Sequence, residues 1–201
     1  MSKGQLIILS GPSGVGKSSI VKAVTEKYPN LHFSVSATTR EIRPDETDGV
    51  SYYFVTRERF EEMLRQDELL EHAEYVGNCY GTPAKPIDEA LKMGYDILLD
   101  IEVQGAMQIK AKRPDAVSVF VAAPSFAELE RRLTERGDTA PDKVRRRIET
   151  AHIEYKAAPQ YDYLIVSETG KVEEAADNLL AIIRAARCRT KNCIDYLKED
   201  V

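Results

Sequence analysis

The stretch "LSGPSGVGKSS", residues 9–19, is the feature that most constrains how this chain can fold. It lies between the apolar run "QLII" and "IVKAVTEKY", whose apolar residues have helical spacing. Gly11, Gly16, Lys17 and Ser18 match the pattern G-x-x-x-x-G-K-[ST], which requires a strand before it and a helix after it. Glycines let backbone N–H groups turn toward phosphate oxygens, and the N-terminus of the following helix attracts an anion. The stretch therefore predicts a strand, a triphosphate-binding loop and a helix, in that order.

Two side chains of this loop have specific expected roles. Lys17 is expected to bridge the β- and γ-phosphates of a nucleotide, and the hydroxyl of Ser18 is expected to ligate Mg²⁺. A glycine-rich turn with a solvated lysine is the simpler alternative. Because the same loop occurs in ATPases, GTPases and small-molecule kinases, it leaves the reaction open.

Three later apolar runs predict the rest of the core: "YDILLDI" at 95–101, "AVSVFVA" at 116–122 and "DYLIV" at 162–166. Such runs, bounded by polar or turn residues, are typical of strands that are covered on both faces. Helix-like stretches lie at about 103–112, 125–136, 142–157 and 172–189. This alternation predicts an α/β fold of the P-loop NTPase type, with a parallel sheet flanked by helices.

Two segments interrupt the alternation. Residues 34–84 contain short alternating strands such as "SYYFV" and one helix near 57–66, which predicts a small, mostly antiparallel lobe of mixed α/β structure. Residues 126–158 form two charged helices separated by "GDTAP", a hairpin with little to pack on that is expected to move. We expect one domain over residues 1–201, with a core (1–33, 85–125 and 159–190), a lobe (34–84), a lid (126–158) and a C-terminal tail (191–201).

Composition excludes several other classes of protein. A net charge of −5 argues against a broad nucleic-acid-binding or membrane-binding surface. Three cysteines without metal-like spacing argue against a disulfide framework or a zinc site, so we expect reduced thiols in a cytoplasmic protein. No apolar run is long enough for a signal peptide or a membrane span. The three histidines show no catalytic spacing.

The segment "SATTREIRPDETDGVSYYFV" contains the residues that could hold a second phosphate. Arg40 and Arg43 could bind it by forked hydrogen bonds, helped by the phenol of Tyr52. Composition alone favours a solvated basic loop here. It equally allows Glu71 to be a surface acid, Asp100 to be a helix N-cap, and the arginines of "RRLTER" and "KVRRRIE" to lie on solvent-exposed faces.

A family resemblance bears on these alternatives. From "ILSGPSGVGKSS" through "FSVSATTREIRPDETDGVSYYFV", "ELLEHAEYVGNCYGTP" and "ILLDIEVQGA" to "RRLTERG", the chain resembles guanylate kinase, over about residues 5–187. The resemblance implies transfer of the γ-phosphoryl of MgATP to GMP, and to dGMP, giving ADP and GDP in purine nucleotide metabolism and GMP recycling. It also implies that the lobe binds GMP and that the lid closes over the nucleotides.

The resemblance implies a role for each candidate residue. The whole loop would bind ATP: Gly11, Pro12, Ser13, Gly14, Val15, Gly16, Lys17, Ser18 and Ser19. The GMP phosphate would be held by Arg40, Arg43, Tyr52 and Tyr80. Glu71 would accept hydrogen bonds from guanine N1–H and the exocyclic amine, which disfavours adenine, while Ser36 and Thr82 would contact the base from the other side.

The resemblance also implies a set of residues around the transferred group. Asp100 would organise Mg²⁺ through water together with Ser18, and Glu102 would lie near the acceptor nucleoside. Arg132, Arg136 and Arg147 would surround the ATP phosphates when the lid closes. The catalytic candidates are Lys17, Arg40, Arg43, Arg132, Arg136 and Arg147.

The chain departs from the family pattern at two places. "VSETG" replaces the usual "VNDD" after the last core strand, and Ser167 is shorter than the asparagine that lies near adenine, so the preferred base of the donor stays open. "GKSS" replaces the common "GKST", but Ser19 keeps a hydroxyl.

Two other functions remain as alternatives. One is a related kinase whose acceptor is another phosphorylated compound, such as ribose 1,5-bisphosphate. The other is a non-catalytic guanylate-kinase-like module that binds partner proteins, against which the intact phosphate loop argues. The sequence leaves a homo-oligomer open.

Overall fold

A computed structural model describes residues 3–75, 77–135 and 141–193, and its strands form two β-sheets. The strands are β1 (Leu6–Ser10), β2 (Leu31–Phe33), β3 (Ala37–Thr38), β4 (Tyr53–Phe54), β5 (Leu69–Tyr75), β6 (Asn78–Pro83), β7 (Asp96–Asp100), β8 (Val117–Ala122) and β9 (Tyr163–Val166). Five of them form a sheet of order β2-β7-β1-β8-β9, in which the β2/β7, β1/β8 and β8/β9 pairs are parallel. The predicted α/β fold with a parallel sheet is confirmed.

Helices connect and flank these strands. They are α1 (Lys17–Lys27), α2 (Arg57–Arg65), α3 (Ala84–Lys92), α4 (Val103–Lys112), α5 (Phe126–Glu135), α6 (Pro141–Tyr155), α7 (Val172–Arg187) and the short α8 (Thr190–Cys193). The sequence patterns predicted all of them except α3 and α8. Pro86 is a sequence signal against a helix at α3. It is tolerated there because it lies in the first turn of the helix.

The chain divides into two compact units. The first unit contains residues Leu31–Leu99 and Gln104–Ala116 together with the N-terminal residues up to Leu6. The second unit contains Ile7–Asn30, Asp100–Val103 and the chain from Val117 onward. Each is described separately below.

In the first unit, the smaller sheet has the order β4-β3-β6-β5 and packs on its own apolar cluster. Its β3/β6 and β5/β6 pairs are antiparallel, whereas β3/β4 is parallel. Ala37, Phe60, Met63 and Leu69 form the buried cluster, so α2 contributes two of its four members. The expected alternating strand "SYYFV" is shorter than predicted, because the continuous strand is Tyr53–Phe54 and Tyr52 forms an isolated bridge to Asp48.

The second unit has its core around β1 and β8, whose residues are buried along the full strands. Helix α7 packs against α1 and β9. Helix α5 buries Leu129 and Leu133 completely, and a Cβ at Gly14 would lie 2.9 Å from Leu133 Cδ2. The expectation that the charged hairpin has little to pack on is therefore wrong for α5, because two leucines on one face suffice to attach it to the phosphate loop.

The last strand of the parallel sheet also differs from expectation. Leu164 and Val166 on β9 are 54% and 46% exposed, although an apolar run covered on both faces was predicted. β9 is an edge strand of the sheet, and within the described residues one of its faces is only partly covered.

Over residues 3–75, 77–135 and 141–193, no helix is both long and apolar enough to span a membrane.

Candidate active site

The glycine-rich loop joins β1 to α1 and is shaped by backbone conformations that few other residues adopt. Gly11 has φ +145°, and a Cβ at this position would lie 2.2 Å from the carbonyl oxygen of Val121. Gly16 is left-handed, with φ +96°, and forms the N-cap of α1. Glycine at both positions lets the loop pass close to β8 at Gly11 and enter the N-terminus of α1 at Gly16, because a larger side chain would be excluded there.

Lys17 folds back over the loop that precedes it. Its Nζ donates hydrogen bonds to the carbonyl oxygens of Gly11 (2.5 Å) and Pro12 (3.4 Å), and its side chain is half-buried. Ser18 and Ser19 follow on the first turn of α1 with exposed side chains. The loop therefore presents one ammonium group and two hydroxyls beside a helix N-terminus, which is a favourable arrangement for phosphate oxygens.

Two carboxyl groups of the second unit, those of Asp100 and Glu154, interact with the charge of Lys17. Asp100 ends β7, and partial desolvation raises the pKa of its carboxyl, while the charge of Lys17 opposes that increase. Helix α4 begins at Val103, so Asp100 is a strand-terminal residue and not the N-cap of that helix. On α6, desolvation raises the pKa of Glu154, Lys17 opposes the increase, and Glu102 adds to it. Sequence reasoning missed Glu154, because nothing in the charged stretch "RRRIETAHIEY" distinguishes it from a solvated residue.

Arg132 on α5 is held beside the phosphate loop by several hydrogen bonds. Its Nε donates to Glu128, Nη1 to the carbonyl oxygen of Val15, and Nη2 to the carbonyl oxygen of Ser167 (2.8 Å) and the hydroxyl of Thr169 (2.9 Å). Hydrogen bonds from Arg131, Thr169 and Arg132 hold the pKa of Glu128 far below its usual range. Arg132 therefore does not lie on a solvated face. Sequence reasoning also missed Glu128, although it lies one helical turn before Arg132 and this spacing brings the two side chains together on a helix.

A cavity of about 280 Å³ lies next to Arg132. The phosphate loop contributes Gly14 and Gly16 to its wall, α1 contributes Ser19, and the segment after β9 contributes residues 167–170. Ser167 itself is buried, with 4% of its surface exposed.

Of the other two predicted lid arginines, Arg147 lies half-buried on α6, and Arg136 lies outside the described residues.

In the first unit, Arg40 lies among aromatic rings and a carboxylate. Its Nη2 contacts Glu46 Oε1 at 2.6 Å, and its guanidinium lies 5.5 Å from the ring centroid of Tyr52. The rings of Tyr52 and Tyr80 meet edge to face, with centroids 6.2 Å apart. Glu46 also accepts a hydrogen bond from the backbone N–H of Arg43, whose own side chain is exposed.

Glu46 is a third residue that sequence reasoning missed. The hydrogen bond from Arg40, followed by the one from the Arg43 backbone, lowers the pKa of the Glu46 carboxyl. The sequence did contain a signal for Glu46. This carboxylate follows Arg43 by three residues, in a segment whose two arginines need a partner that orients them.

Glu71 on β5 is only 8% exposed and is not a surface acid. The hydroxyl of Thr82 on β6, itself 1% exposed, donates a hydrogen bond of 2.6 Å to Glu71 Oε1. Ser36 is half-buried just before β3, and its carbonyl oxygen accepts a hydrogen bond from the N–H of Tyr53. The predicted acceptor-side residues Ser36, Arg40, Arg43, Tyr52, Glu71, Tyr80 and Thr82 all belong to the first unit.

The second unit contains the remaining predicted residues that the structure describes. These are the loop residues 11–19 with Lys17, Asp100, Glu102, Arg132 and Arg147. Except for Glu102, which is expected near the acceptor nucleoside, the residues expected to bind the donor and those expected to bind the acceptor belong to different units.

Known proteins resemble this chain over most of its length. Residues 3–186 match the family model described as guanylate kinase. The chain is 47% identical over 188 residues to a guanylate kinase of Thermus thermophilus, an alignment that covers 94% of this chain and 84% of the relative. It is 49% identical over 181 residues to a guanylate kinase of Thermobifida fusca (strain YX), which covers 90% and 91% of the two chains.

A solved structure shows the same fold. The crystal structure of guanylate kinase from Anaplasma phagocytophilum aligns with a TM-score of 0.71 and 35% sequence identity, covering 94% of this chain and 89% of that one. With the phosphate loop in one unit and a buried carboxylate in the other, these matches show that the chain belongs to the guanylate kinase family.

Proposed function

We propose a specific assignment of substrates to the two units of this ATP:GMP phosphotransferase. The second unit binds MgATP through the loop at residues 11–19, and the first unit binds GMP through Glu71, Thr82 and the arginine–tyrosine group. The observation that carries the proposal is the buried Glu71 carboxylate with Thr82 donating to it. Burial of a carboxylate is unfavourable on its own, and a ligand rich in N–H donors offsets that cost.

Guanine fits this carboxylate better than adenine does. Guanine presents N1–H and an exocyclic amine side by side, and both donate, whereas adenine presents an acceptor at N1. A carboxylate has about four acceptor positions, so Glu71 can receive guanine while Thr82 keeps its hydrogen bond. Ser36 contacts the base from the other side. Because none of these groups reads the ribose 2′-hydroxyl, dGMP is an acceptor as well.

The phosphate of GMP is held by Arg40, Arg43, Tyr52 and Tyr80. In the structure Arg40 is paired with Glu46, which keeps its guanidinium beside the Tyr52 ring. A dianionic phosphate forms stronger charge-assisted hydrogen bonds than a neutral ligand and uses the donors of Arg40 that face the tyrosines. Glu46 then orients the Arg40 guanidinium from the side that faces away from the GMP phosphate.

The transfer step needs no covalent intermediate. An oxygen of the GMP phosphate attacks the γ-phosphorus of ATP, the bond to the β–γ bridging oxygen breaks, and ADP leaves with that electron pair. Because the attacking oxygen is already anionic near neutral pH, the step requires no histidine as a base. Lys17, Arg132, Arg136 and Arg147 stabilise the negative charge that spreads over the transferred group.

The residues around Lys17 suit Mg²⁺. Within the described part of the chain, no group of three or more His, Cys, Asp or Glu residues is arranged to hold a metal ion. Mg²⁺ in such sites takes one or two protein oxygens, substrate phosphates and water, and the exposed Ser18 hydroxyl and the Asp100 carboxylate provide that donor set. When bound, Mg²⁺ neutralises charge on the β- and γ-phosphates. We assign Glu102, two residues after the end of β7, to the acceptor nucleoside.

The cavity beside Arg132 receives the base of the donor nucleotide. Ser167, Thr169 and backbone groups of residues 167–170 lie in its wall.

We further propose a cytoplasmic enzyme that acts on free nucleotides without nucleic-acid or membrane partners. The free thiols of Cys79 and Cys188 support this location.

Replacing Asp100 by asparagine tests the metal assignment. Asp100→Asn is expected to raise the Mg²⁺ concentration for half-maximal turnover about 10-fold or more, because loss of an oriented carboxylate weakens metal binding by roughly this factor. Mg²⁺ is titrated at fixed ATP and saturating GMP. Asp115→Asn, at an exposed aspartate of the first unit, serves as the matched control. An unchanged Mg²⁺ requirement in Asp100→Asn would remove Asp100 from the metal site.

A further inference from the structure

One face of α4 runs along the strand that carries Glu71. Gly105, Gln108 and Lys112 are spaced three and four residues apart, so they lie on one side of the helix. We refer to these three residues as the α4 stripe. Each of them meets β5, the edge strand of the smaller sheet, at a different point.

The edge strand is irregular where Glu71 lies. The register between β5 and β6 shifts between Leu69 and His72. In the same stretch Leu69, Leu70 and Glu71 are all buried, unlike the alternating pattern of a strand with one solvent-exposed face. An irregularity of this kind redirects a side chain and leaves backbone groups without a partner strand. The direction of the Glu71 side chain therefore depends on whatever holds this edge.

Gln108 and Lys112 hold the backbone on both sides of Glu71. Gln108 Oε1 accepts a hydrogen bond from His72 N–H (3.2 Å), and Gln108 Nε2 donates to the His72 carbonyl oxygen (3.1 Å). The side-chain amide thus makes the two hydrogen bonds with the His72 backbone that a residue of a neighbouring strand would make. Lys112 Nζ donates to the carbonyl oxygen of Leu69 (2.8 Å) and to Asp67 Oδ1 (2.6 Å).

Gly105 provides the space that the Glu71 carboxylate fills. A Cβ at Gly105 would lie 2.9 Å from Glu71 Oε2, 3.3 Å from its Cδ and 3.4 Å from its Cγ. The first distance is shorter than real Cβ contacts allow, so even a methyl group would push this oxygen away. The opposite oxygen, Oε1, is fixed by Thr82.

We propose that the α4 stripe determines specificity for guanine by positioning Glu71, with Gly105 setting the place of Oε2 and Gln108 setting the backbone at His72. These are positioning residues, since they act through Glu71. The inference rests on the proposed role of Glu71 in binding GMP. It adds residues of a second segment, about 35 residues further along the chain, to the determinants of acceptor choice.

Gly105→Ala provides the first test. It is expected to raise KM for GMP about 10-fold, because a hydrogen-bonding carboxylate oxygen is displaced, while KM for ATP changes less than about 2-fold. Thermal stability should be kept or raised, since alanine is favoured over glycine inside a helix. Gln104→Ala, at the adjacent exposed position of the same helix, is the matched control and should leave all three quantities unchanged.

Gln108→Ala provides an independent test that leaves Gly105 intact. It is expected to raise KM for GMP about 3- to 10-fold, because two hydrogen bonds to the β5 backbone are lost. A purely structural role would instead lower the melting temperature and leave the KM for GMP at the wild-type value.

A double-mutant cycle separates positioning from general effects on the fold. In a Glu71→Ala background, Gly105→Ala should no longer change kcat/KM for GMP, because no carboxylate is left to displace. An equal loss in both backgrounds would overturn the inference, and so would a KM for GMP within about 2-fold of wild type in Gly105→Ala. If wild-type enzyme uses GMP and Glu71→Ala loses it, yet Gly105→Ala and Gln108→Ala behave as wild type, the inference fails while the proposed function stands.

Discussion

Replacing Lys17 by alanine is expected to lower kcat about 10²- to 10³-fold while leaving the affinity for GMP largely intact. Lys17 is the ammonium that folds back over the phosphate loop, and its loss removes charge from the transferred group in the transition state. The acceptor-side residues belong to the first unit and do not involve Lys17. Steady-state kinetics gives kcat, and calorimetry with GMP alone gives the affinity.

The matched control for this experiment is Lys22→Ala. Lys22 lies on the same helix as Lys17, so its replacement removes an equal charge from α1 without touching the loop. Near-normal kcat in Lys17→Ala would show that the assigned chemistry of the loop is wrong. Equal losses in both variants would point to the net charge of α1 and not to Lys17.

Replacing Glu71 by glutamine is expected to lower kcat/KM for GMP about 10³- to 10⁴-fold, with KM for ATP nearly unchanged. Glutamine has the same shape, but its amide N–H₂ faces the N–H donors of guanine, which leaves buried donors opposed to each other. Glu71→Ala should likewise weaken GMP far more than ATP. The measurement is kcat/KM with GMP varied at saturating MgATP.

Glu74→Gln is the control for this variant, because Glu74 lies on the same strand but is exposed. It should retain wild-type kinetics. If Glu71→Gln kept kcat/KM for GMP within about 10-fold of wild type, the carboxylate would not be the group that reads guanine.

The phosphate loop and the core strands β1, β7, β8 and β9 could be predicted from the sequence because they rest on local signals. Gly11, Gly16 and Lys17 have a fixed spacing, and β1 and β8 are continuous apolar runs. The resemblance to guanylate kinase added Glu71, whose burial no local pattern indicates. Glu71 is one of three glutamates in "ELLEHAEY", a pattern that is equally compatible with an exposed strand.

What the sequence did not predict includes acids in charged stretches, where many similar side chains compete for the same role. Glu46 and Glu128 lie only six and four residues from Arg40 and Arg132, whereas Glu154 interacts with the distant Lys17 only through the fold. The packing of α5 was missed for the same reason, since two buried leucines are difficult to distinguish among many charges. The place of the α4 stripe along β5 follows from a β-sheet irregularity that no sequence pattern signals.

Selection of a guanine nucleotide by Glu71, followed by phosphate transfer from ATP, can be measured in a single assay. The assay follows ADP release from MgATP with GMP, dGMP, AMP, CMP, UMP and ribose 1,5-bisphosphate as separate acceptors. We expect rapid release with GMP, release with dGMP, and rates with AMP lower by about 10⁴-fold. Release with the sugar bisphosphate alone, or no release from folded protein that still binds GMP, would contradict this assignment.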